Sequence, residues 1–195
     1  RSILPYTGKS VRIGITGTPG VGKSTLLDSF GMHIINQGLS VAVLAIDPSS
    51  SRTKGSILGD KTRMQNLSQH SEAFVRPSPS KGFLGGVGQR TKETILLCEA
   101  AGFDVVIVET VGVGQSEILI SQMTDVFVSL LLPGGGDELQ GIKRSIIELA
   151  DILIVNKADG NLEATAKSTV LDYKNAMKLQ KARHENWSVP VLSIS

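Results

Sequence analysis

The chain has 195 residues and a formal net charge of +2, and 41% of its residues are apolar whereas only 4% are aromatic. Val, Ile and Leu must therefore fill the interior, which is typical of an α/β domain with a buried parallel sheet. The charges form no basic block, so we expect no nucleic-acid partner. No apolar stretch approaches the roughly 20 residues of a membrane-spanning helix, and no signal peptide opens the chain, so we expect no membrane partner.

Short apolar runs alternate with helical patterns along the chain. The apolar runs cover residues 11–16, 41–46, 73–76, 105–109, 126–132, 152–155 and 189–194. The helical patterns cover residues 24–36, 89–101, 138–150 and 162–183. Because the runs are β-branched and apolar on both faces, they predict strands that are covered on both sides. The order predicts an α/β fold with a doubly wound, mostly parallel sheet and ligands at the carboxyl ends of the strands.

Three further features bear on organisation. Residues 48–61 and 78–88 are predicted to form long loops, which in a compact domain are usually functional or mobile. The single cysteine, Cys98, cannot form an internal disulfide, and its helical pattern predicts a small buried apolar residue in a protein from a reducing compartment. The chain starts at Arg1 and stops at Ser195 just after an apolar run, so we expect one domain, residues 1–195, of a longer protein.

A phosphate-binding pattern follows the first apolar run and precedes a helical pattern. It is G-x-x-x-x-G-K-[ST], formed by Gly17, Thr18, Pro19, Gly20, Val21, Gly22, Lys23, Ser24 and Thr25. The glycines let backbone N–H groups turn around phosphate oxygens at a helix N-terminus. Lys23 is expected to reach the β- and γ-phosphates of a nucleotide, and Ser24 to bind Mg²⁺. The alternative is a glycine-rich turn that only joins a strand to a helix.

A second motif, N-K-x-D, ends the apolar run 152–155. Asp159 can accept hydrogen bonds from both donors on the guanine edge, whereas adenine would leave a buried carboxylate unpaired. Asn156 can bond the other edge of the base, and the stem of Lys157 can lie along its face. The motif therefore predicts a preference for GTP and GDP, the alternative being a polar loop that closes a strand.

Acidic residues end two of the predicted strands. Asp47 ends the second and Glu109 ends the fourth, where a carboxylate beside the phosphate loop can hold Mg²⁺ directly or through water. Ordinary hydrophilic strand ends are the alternative for each. Gly112 is expected to sense the γ-phosphate through its N–H, so that ordering and release of residues 112–115 report hydrolysis.

The residue that positions the attacking water has two candidates, Gln115 and Asp60, and each is equally well interpreted as a solvated loop residue. No arginine finger can be assigned, which predicts slow intrinsic hydrolysis that a partner accelerates. The glycines of residues 134–136 open the helical pattern that carries Lys143. This segment is predicted to be a third mobile element, or else a flexible strand-to-helix turn.

Several long strings in the chain resemble one family. They are GTPGVGKST, AIDPSSS, GSILGDKTRM, RPSPSKGFLGG, LLCEAAGFDVVIVETVGVGQSE, GGGDELQGIK and NKAD, between about Val11 and Ser195. Together they resemble the methylmalonyl-CoA mutase-associated GTPases of the MeaB/ArgK type, which include the protein of cobalamin type A deficiency. The resemblance implies a P-loop GTPase of the SIMIBI class. It also implies a magnesium-dependent, GTP-hydrolysing chaperone that gates cofactor loading of an adenosylcobalamin-dependent methylmalonyl-CoA or acyl-CoA mutase and protects that mutase.

By the same resemblance, Asp47, Asp60 and Glu109 match acidic switch positions, and Lys143 matches a lysine of the third switch. Ser195 matches the serine of the last base-loop motif. The family's helical amino-terminal extension and its carboxy-terminal dimerisation arm are absent from residues 1–195, so the expected homodimer applies to the full-length protein. Family members work in the bacterial cytoplasm or in the mitochondrial matrix.

Three other functions remain open from the residues. A GTPase for nickel-enzyme maturation shares the fold, but usually carries histidine-rich tracts or paired cysteines, whereas this chain has three scattered histidines and one cysteine. A small-molecule kinase would transfer the phosphate, for example to arginine, instead of releasing it. A nucleotide-gated binding module would show negligible turnover.

Overall fold

The computed structural model describes residues 2–47, 64–79, 84–110, 115–134, 147–179 and 185–195. Its sheet has seven strands in the order β3-β2-β4-β1-β5-β6-β7. The strands are β1 (Val11–Gly17), β2 (Val41–Asp47), β3 (Ala73–Pro79), β4 (Val105–Thr110), β5 (Val126–Leu131), β6 (Ile152–Val155) and β7 (Val191–Ser193). Every neighbouring pair of these strands is parallel, so all their carboxyl ends lie at one edge of the sheet.

Helices connect the strands on both faces of the sheet. They are α1 (Lys23–Asn36), α2 (Gln65–Ser68), α3 (Leu84–Ala100), α4 (Gln115–Ser121) and α5 (Glu163–Lys178), with short 3-10 turns at Leu4–Tyr6 and Gly160–Leu162. Residues 147–149 are also helical. No helix in these ranges is long and apolar enough to cross a membrane.

Side chains that alternate along β2 fill two different core layers. Val41 and Val43 pack in a cluster with residues of α1 and α2, such as Leu27 and Leu67. Ala42 and its neighbours of the same parity pack in a second cluster with residues of α3 and α4. Strand side chains point alternately to opposite faces, so both faces of the sheet are covered. The predicted doubly wound α/β fold is confirmed.

A third hydrophobic cluster lies at the end of the sheet formed by β6 and β7. It joins α5 to β6 and β7 through Ala166, Tyr173, Leu153, Val155 and Val191. Tyr173 is among the largest fully buried side chains of the described residues. This half of the domain therefore has an interior of its own.

The prediction of a loop over residues 78–88 is wrong at both ends. Strand β3 continues to Pro79, and α3 begins at Leu84, five residues before the predicted helix start. Three glycines in the first turns of α3 weaken the helical pattern, since glycine costs about 1 kcal/mol in a helix. A Cβ at Gly88 would lie 3.4 Å from Leu119 of α4, an ordinary contact distance, so α3 packs on α4 at this position.

The other boundaries shift by a few residues. Strand β7 is shorter than the predicted run 189–194, and α5 ends at Lys178, before residue 183. Most of the predicted helix 138–150 and all of the predicted loop 48–61 lie outside the described residues. Cys98 is buried, as predicted, and burial raises the pKa of its thiol, an effect that Arg76 opposes and Glu99 reinforces.

Two buried or half-buried carboxylates hold segments to the core away from the carboxyl edge. Glu99 of α3 accepts hydrogen bonds from Arg12 Nε of β1 and from the Gly8 N–H. Burial alone would raise the pKa of Glu99, but these hydrogen bonds and the charge of Arg12 outweigh it and lower the pKa. Asp28 of α1 accepts from the Leu67 N–H, 2.8 Å away, and so holds α2 against α1.

Candidate nucleotide-binding site

The predicted site residues that the structure describes lie at the carboxyl edge of the sheet. Gly17 ends β1 at the centre, between β4 and β5, and the phosphate-binding motif runs from there into α1. Asp47 ends β2, the N-K-x-D motif follows β6, and Ser195 lies two residues beyond β7. Ligands of doubly wound sheets bind at this edge, where neighbouring connections leave in opposite directions. The topology therefore gathers motifs that are far apart in the chain.

The phosphate-binding motif forms a tight turn between β1 and α1. The Val21 N–H donates to the Thr18 carbonyl, 3.2 Å away, and α1 begins at Lys23. Lys23 is only 7% exposed. Its Nζ donates to the Gly17 carbonyl at 2.7 Å and to the Thr18 carbonyl at 3.3 Å. The ammonium group thus lies inside the curve of the loop.

The remaining residues of the motif differ in their exposure. Pro19, Gly20 and Thr25 are exposed, whereas Ser24 is half-buried in the first turn of α1. Thr18 Oγ1 is buried and has no hydrogen-bond partner among the described residues. Buried hydroxyl groups are nearly always bonded, so this oxygen is a polar group to which a ligand can bond.

Gly22 brings the phosphate-binding motif into contact with the N-K-x-D motif. Its φ of 98° is in the left-handed region, and a Cβ added there would overlap the Asn156 amide nitrogen. That nitrogen donates to the Val21 carbonyl, 2.7 Å away. The two motifs, 135 residues apart, are therefore joined by a side-chain hydrogen bond that requires glycine at position 22.

The base motif is also held to the end of β7. The Ala158 N–H donates to the Ile194 carbonyl at 3.0 Å, and the Asn156 N–H donates to the Leu131 carbonyl at 2.9 Å. Lys157 has a φ of 60°, unusual for a residue with a side chain. Lys157, Asp159 and Ser195 are exposed. The backbone contacts bring Ser195 next to the base motif, and the carboxylate of Asp159 remains accessible.

The two acidic strand ends lie at the same edge of the sheet as the phosphate loop, Glu109 on the strand next to β1 and Asp47 one strand farther away. Glu109 is opposite Ile15 of β1 and opposite Ala45 of β2 in the strand register, and it is 8% exposed. Asp47 lies two residues beyond Ala45, at the end of β2. Within the described ranges, no three His, Cys, Asp or Glu side chains are grouped to hold a metal ion. Mg²⁺ needs fewer, because it usually binds one or two carboxylates together with substrate phosphates and water.

Some predicted residues cannot be compared with the structure. Asp60, Gly112 and Lys143 lie outside the described residues. Gln115 is placed only as the first residue of α4.

Three polar residues near the phosphate loop are not among the predicted ones. Thr16, Thr110 and Glu117 are each 0% exposed. Thr110 Oγ1 lies 2.9 Å from Thr16 Oγ1 and 3.4 Å from Glu117 Oε1. The available signal was a threonine close to the end of each of two predicted strands, and a glutamate seven residues after the second threonine.

Curated relatives match almost the whole chain. A protein described as a putative GTPase of Caulobacter vibrioides is 58% identical over 193 residues, which are 99% of this chain and 59% of that protein. GTPase ArgK of Escherichia coli is 53% identical over 194 residues, covering 100% of this chain and 59% of the relative. The mitochondrial methylmalonic aciduria type A homolog of Mus musculus is 52% identical over 184 residues, which are 94% of this chain and 44% of that protein. The chain thus spans less than two thirds of the length of these relatives.

Solved structures share the fold. The crystal structure of a LAO/AO transport system kinase matches with a TM-score of 0.82 and 43% identity, over 98% of this chain and 55% of that chain. HypB from Helicobacter pylori in complex with nickel matches with a TM-score of 0.64 over 95% and 79% of the two chains. The receptor FtsY from Elizabethkingia anophelis in complex with GDP matches with a TM-score of 0.60 over 97% and 58%. The last two are 16% and 15% identical and show the fold alone.

These neighbours and the all-parallel sheet confirm the predicted P-loop GTPase fold of the SIMIBI class. The family described as methylmalonyl Co-A mutase-associated GTPase MeaB matches residues 1–195 of the chain. The resemblance inferred from the motifs is confirmed over the full sequence, and the chain belongs to the methylmalonyl-CoA mutase-associated GTPase family, MeaB.

Proposed function

We propose that residues 1–195 form the G domain of a magnesium-dependent GTPase that serves an adenosylcobalamin-dependent methylmalonyl-CoA or acyl-CoA mutase as a chaperone. In this role it gates cofactor loading and protects the mutase. The observation that carries the nucleotide assignment is the hydrogen bond from Asn156 to the Val21 carbonyl. It supports a single ligand that contacts both motifs, with its phosphates at one and its base at the other.

The phosphate end of the ligand would lie in the turn between β1 and α1. Backbone N–H groups of residues 20–25 would bind phosphate oxygens at the N-terminus of α1, where the helix dipole favours an anion. Lys23 already lies inside the curve of the loop, bonded to two of its carbonyls. The buried, unpartnered Thr18 Oγ1 adds one more polar group at this end.

The base end would bind guanine through Asp159. This carboxylate is exposed at the start of the 3-10 turn Gly160–Leu162. Lys157 and Ser195 complete the base loop in the proposal, and the hydrogen bond of Ala158 to Ile194 supports their proximity. The amide nitrogen of Asn156 donates to the phosphate loop, so its role at the base would fall to the remaining amide hydrogen and the oxygen.

Mg²⁺ would be held by the Ser24 hydroxyl, with Asp47 and Glu109 binding it directly or through water. Held by these residues, Mg²⁺ would supply positive charge that stabilises the phosphates during phosphoryl transfer. Gly112 is proposed to sense the γ-phosphate. Asp60 and Gln115 are the proposed candidates for positioning the attacking water, and Lys143 is proposed to act in a third switch.

The base assignment is tested by Asp159→Asn. Asparagine cannot accept two hydrogen bonds from guanine, but it can pair with xanthine, which carries an acceptor where guanine has its 2-amino group. We expect the variant to prefer xanthosine triphosphate, and Asp172→Asn, an exposed position on α5, to keep the parent preference for GTP. The measurement is competitive binding of GTP, ATP and xanthosine triphosphate with magnesium. Unchanged GTP affinity in Asp159→Asn would remove the assignment.

The partner assignment rests on the family to which the chain belongs. A pull-down of the full-length protein with GTP, GDP or no nucleotide tests it, and we expect nucleotide-dependent recovery of an acyl-CoA mutase. Recovery of a hydrogenase or urease maturation factor would overturn it. We also propose a homodimer for the full-length protein and a location in the bacterial cytoplasm or the mitochondrial matrix. The mitochondrial name of the mouse relative supports the second location for a eukaryotic protein.

A phosphotransferase is the second candidate, because the solved relative at 43% identity is described as a transport system kinase. Radiolabelled GTP distinguishes the two functions. Release of inorganic phosphate supports the GTPase, whereas transfer of the label to arginine or another small acceptor supports the kinase.

A further inference from the structure

Three polar side chains meet in the interior directly below the phosphate-binding loop. Thr16 precedes Gly17 at the end of β1, Thr110 is the last residue of β4, and Glu117 lies in the first turn of α4. All three are fully buried. Thr110 Oγ1 is 2.9 Å from Thr16 Oγ1 and 3.4 Å from Glu117 Oε1, so the threonine of β4 connects the other two.

Packing alone does not account for this trio. Valine has nearly the volume of threonine, and it would fill either strand position without needing a hydrogen-bond partner. A buried hydroxyl or carboxyl group costs free energy unless it is bonded. Polar groups at these positions therefore need hydrogen-bond partners, whereas apolar residues would need none.

The positions of Thr16, Thr110 and Glu117 indicate which elements these contacts hold together. The contact between Thr110 and Glu117 joins the end of β4 to the first turn of α4. Thr16 links the same pair to the residue that precedes the phosphate loop. We propose that Glu117, acting through Thr110 and Thr16, is a positioning residue for GTP hydrolysis that holds α4 in register with the phosphate loop. The inference rests on the proposed GTPase function.

A positioning role differs from a stabilising role in its kinetic effect. If Glu117 only stabilises α4, its replacement lowers the free energy of unfolding and leaves turnover by the folded protein unchanged. If it positions α4 against the phosphate loop, its replacement lowers kcat with little change in KM, because the lost interaction matters in the transition state.

The experiment measures multiple-turnover GTP hydrolysis with magnesium, GDP affinity and urea unfolding for the full chain. We expect Glu117→Ala to lower kcat by about ten-fold or more while KM changes little. Glu117→Gln retains a side-chain oxygen that can accept from Thr110 and should recover most of the loss. Ser121→Ala is the matched control, because Ser121 is buried on the same helix and its hydroxyl donates to the Ile118 carbonyl within that helix.

Thr110→Val and Thr16→Val keep the volume of each side chain and remove the hydroxyl, so they test the link if Glu117→Ala fails to fold. Each should lower kcat, and combining Thr110→Val with Glu117→Ala should add little to the larger single effect. Parent-like kcat in the folded threonine and glutamate variants would overturn this inference alone. So would equal losses in Ser121→Ala, or additive losses in the double variant. A parent protein without GTP hydrolysis would overturn the proposed function, and this inference with it.

Discussion

Replacing Gly22 by alanine should disrupt the junction between the two nucleotide-binding motifs. Two costs add. Alanine at a φ of 98° is strained by about 1–2 kcal/mol. The new Cβ also overlaps the Asn156 amide nitrogen, which cannot move away without losing its hydrogen bond to the buried Val21 carbonyl. Losing a partner for a buried carbonyl costs about 1–3 kcal/mol, so the total is about 2–5 kcal/mol.

Gly20 provides the matched control. It has a comparable φ of 81°, but a Cβ there would meet nothing within 4 Å. Gly20→Ala should therefore show the backbone cost alone, and urea unfolding of both variants should separate the two contributions. Asn156→Ala removes the group that is overlapped, so Gly22→Ala should cost less in that background than in the parent. Equal destabilisation by Gly22→Ala and Gly20→Ala would contradict the predicted overlap with Asn156.

Three further predictions concern stability and reactivity. The pKa of Glu99 is lowered in the folded state, so its stabilising contribution is complete above the ordinary glutamate pKa of about 4.3 and is lost as the pH falls through the lower folded value. The gap in urea midpoint between the parent and Glu99→Gln should therefore shrink in acid, and parallel curves would contradict this. Cys98 is buried with a raised pKa, so thiol reagents should label it slowly in the native protein and fast in urea; equal rates would be inconsistent with its burial. Asp28→Ala removes an acceptor for the Leu67 N–H and should lower the free energy of unfolding by about 1–2 kcal/mol, measured in urea, whereas no change would mean that water replaces the carboxylate.

The sheet could be predicted because its strands are apolar on both faces and separated by helical patterns. The spacing of apolar residues within a short segment is enough to distinguish these strands from the helices between them. The start of α3 could not be predicted in the same way, since its first turns contain glycines that a local pattern interprets as loop. Helix α3 packs on α4 near Gly88 and Leu119, and that contact between distant residues is absent from any local window.

The candidate site likewise contains some features that a local sequence pattern predicts and others that depend on the fold. The phosphate loop and the N-K-x-D motif were predictable because each has a short local pattern with a physical purpose. The hydrogen bond from Asn156 to Val21 spans 135 residues and depends on the order of the strands, which local patterns do not specify. Thr16 and Thr110 were not predicted because one threonine at a strand end is unremarkable until the neighbouring strand is known.

The separate interior beneath α5, β6 and β7 has a consequence for how a nucleotide would affect the domain. Guanine would rest on this half, while the phosphates would rest on the half built around α1 and β1. A bound nucleotide would thus contact both hydrophobic clusters at once. After its release, α5, β6 and β7 would open locally more often, while the packing around α1 and β1 would stay the same. Amide hydrogen exchange should accordingly slow more in α5 than in the last turns of α1 when GDP is added.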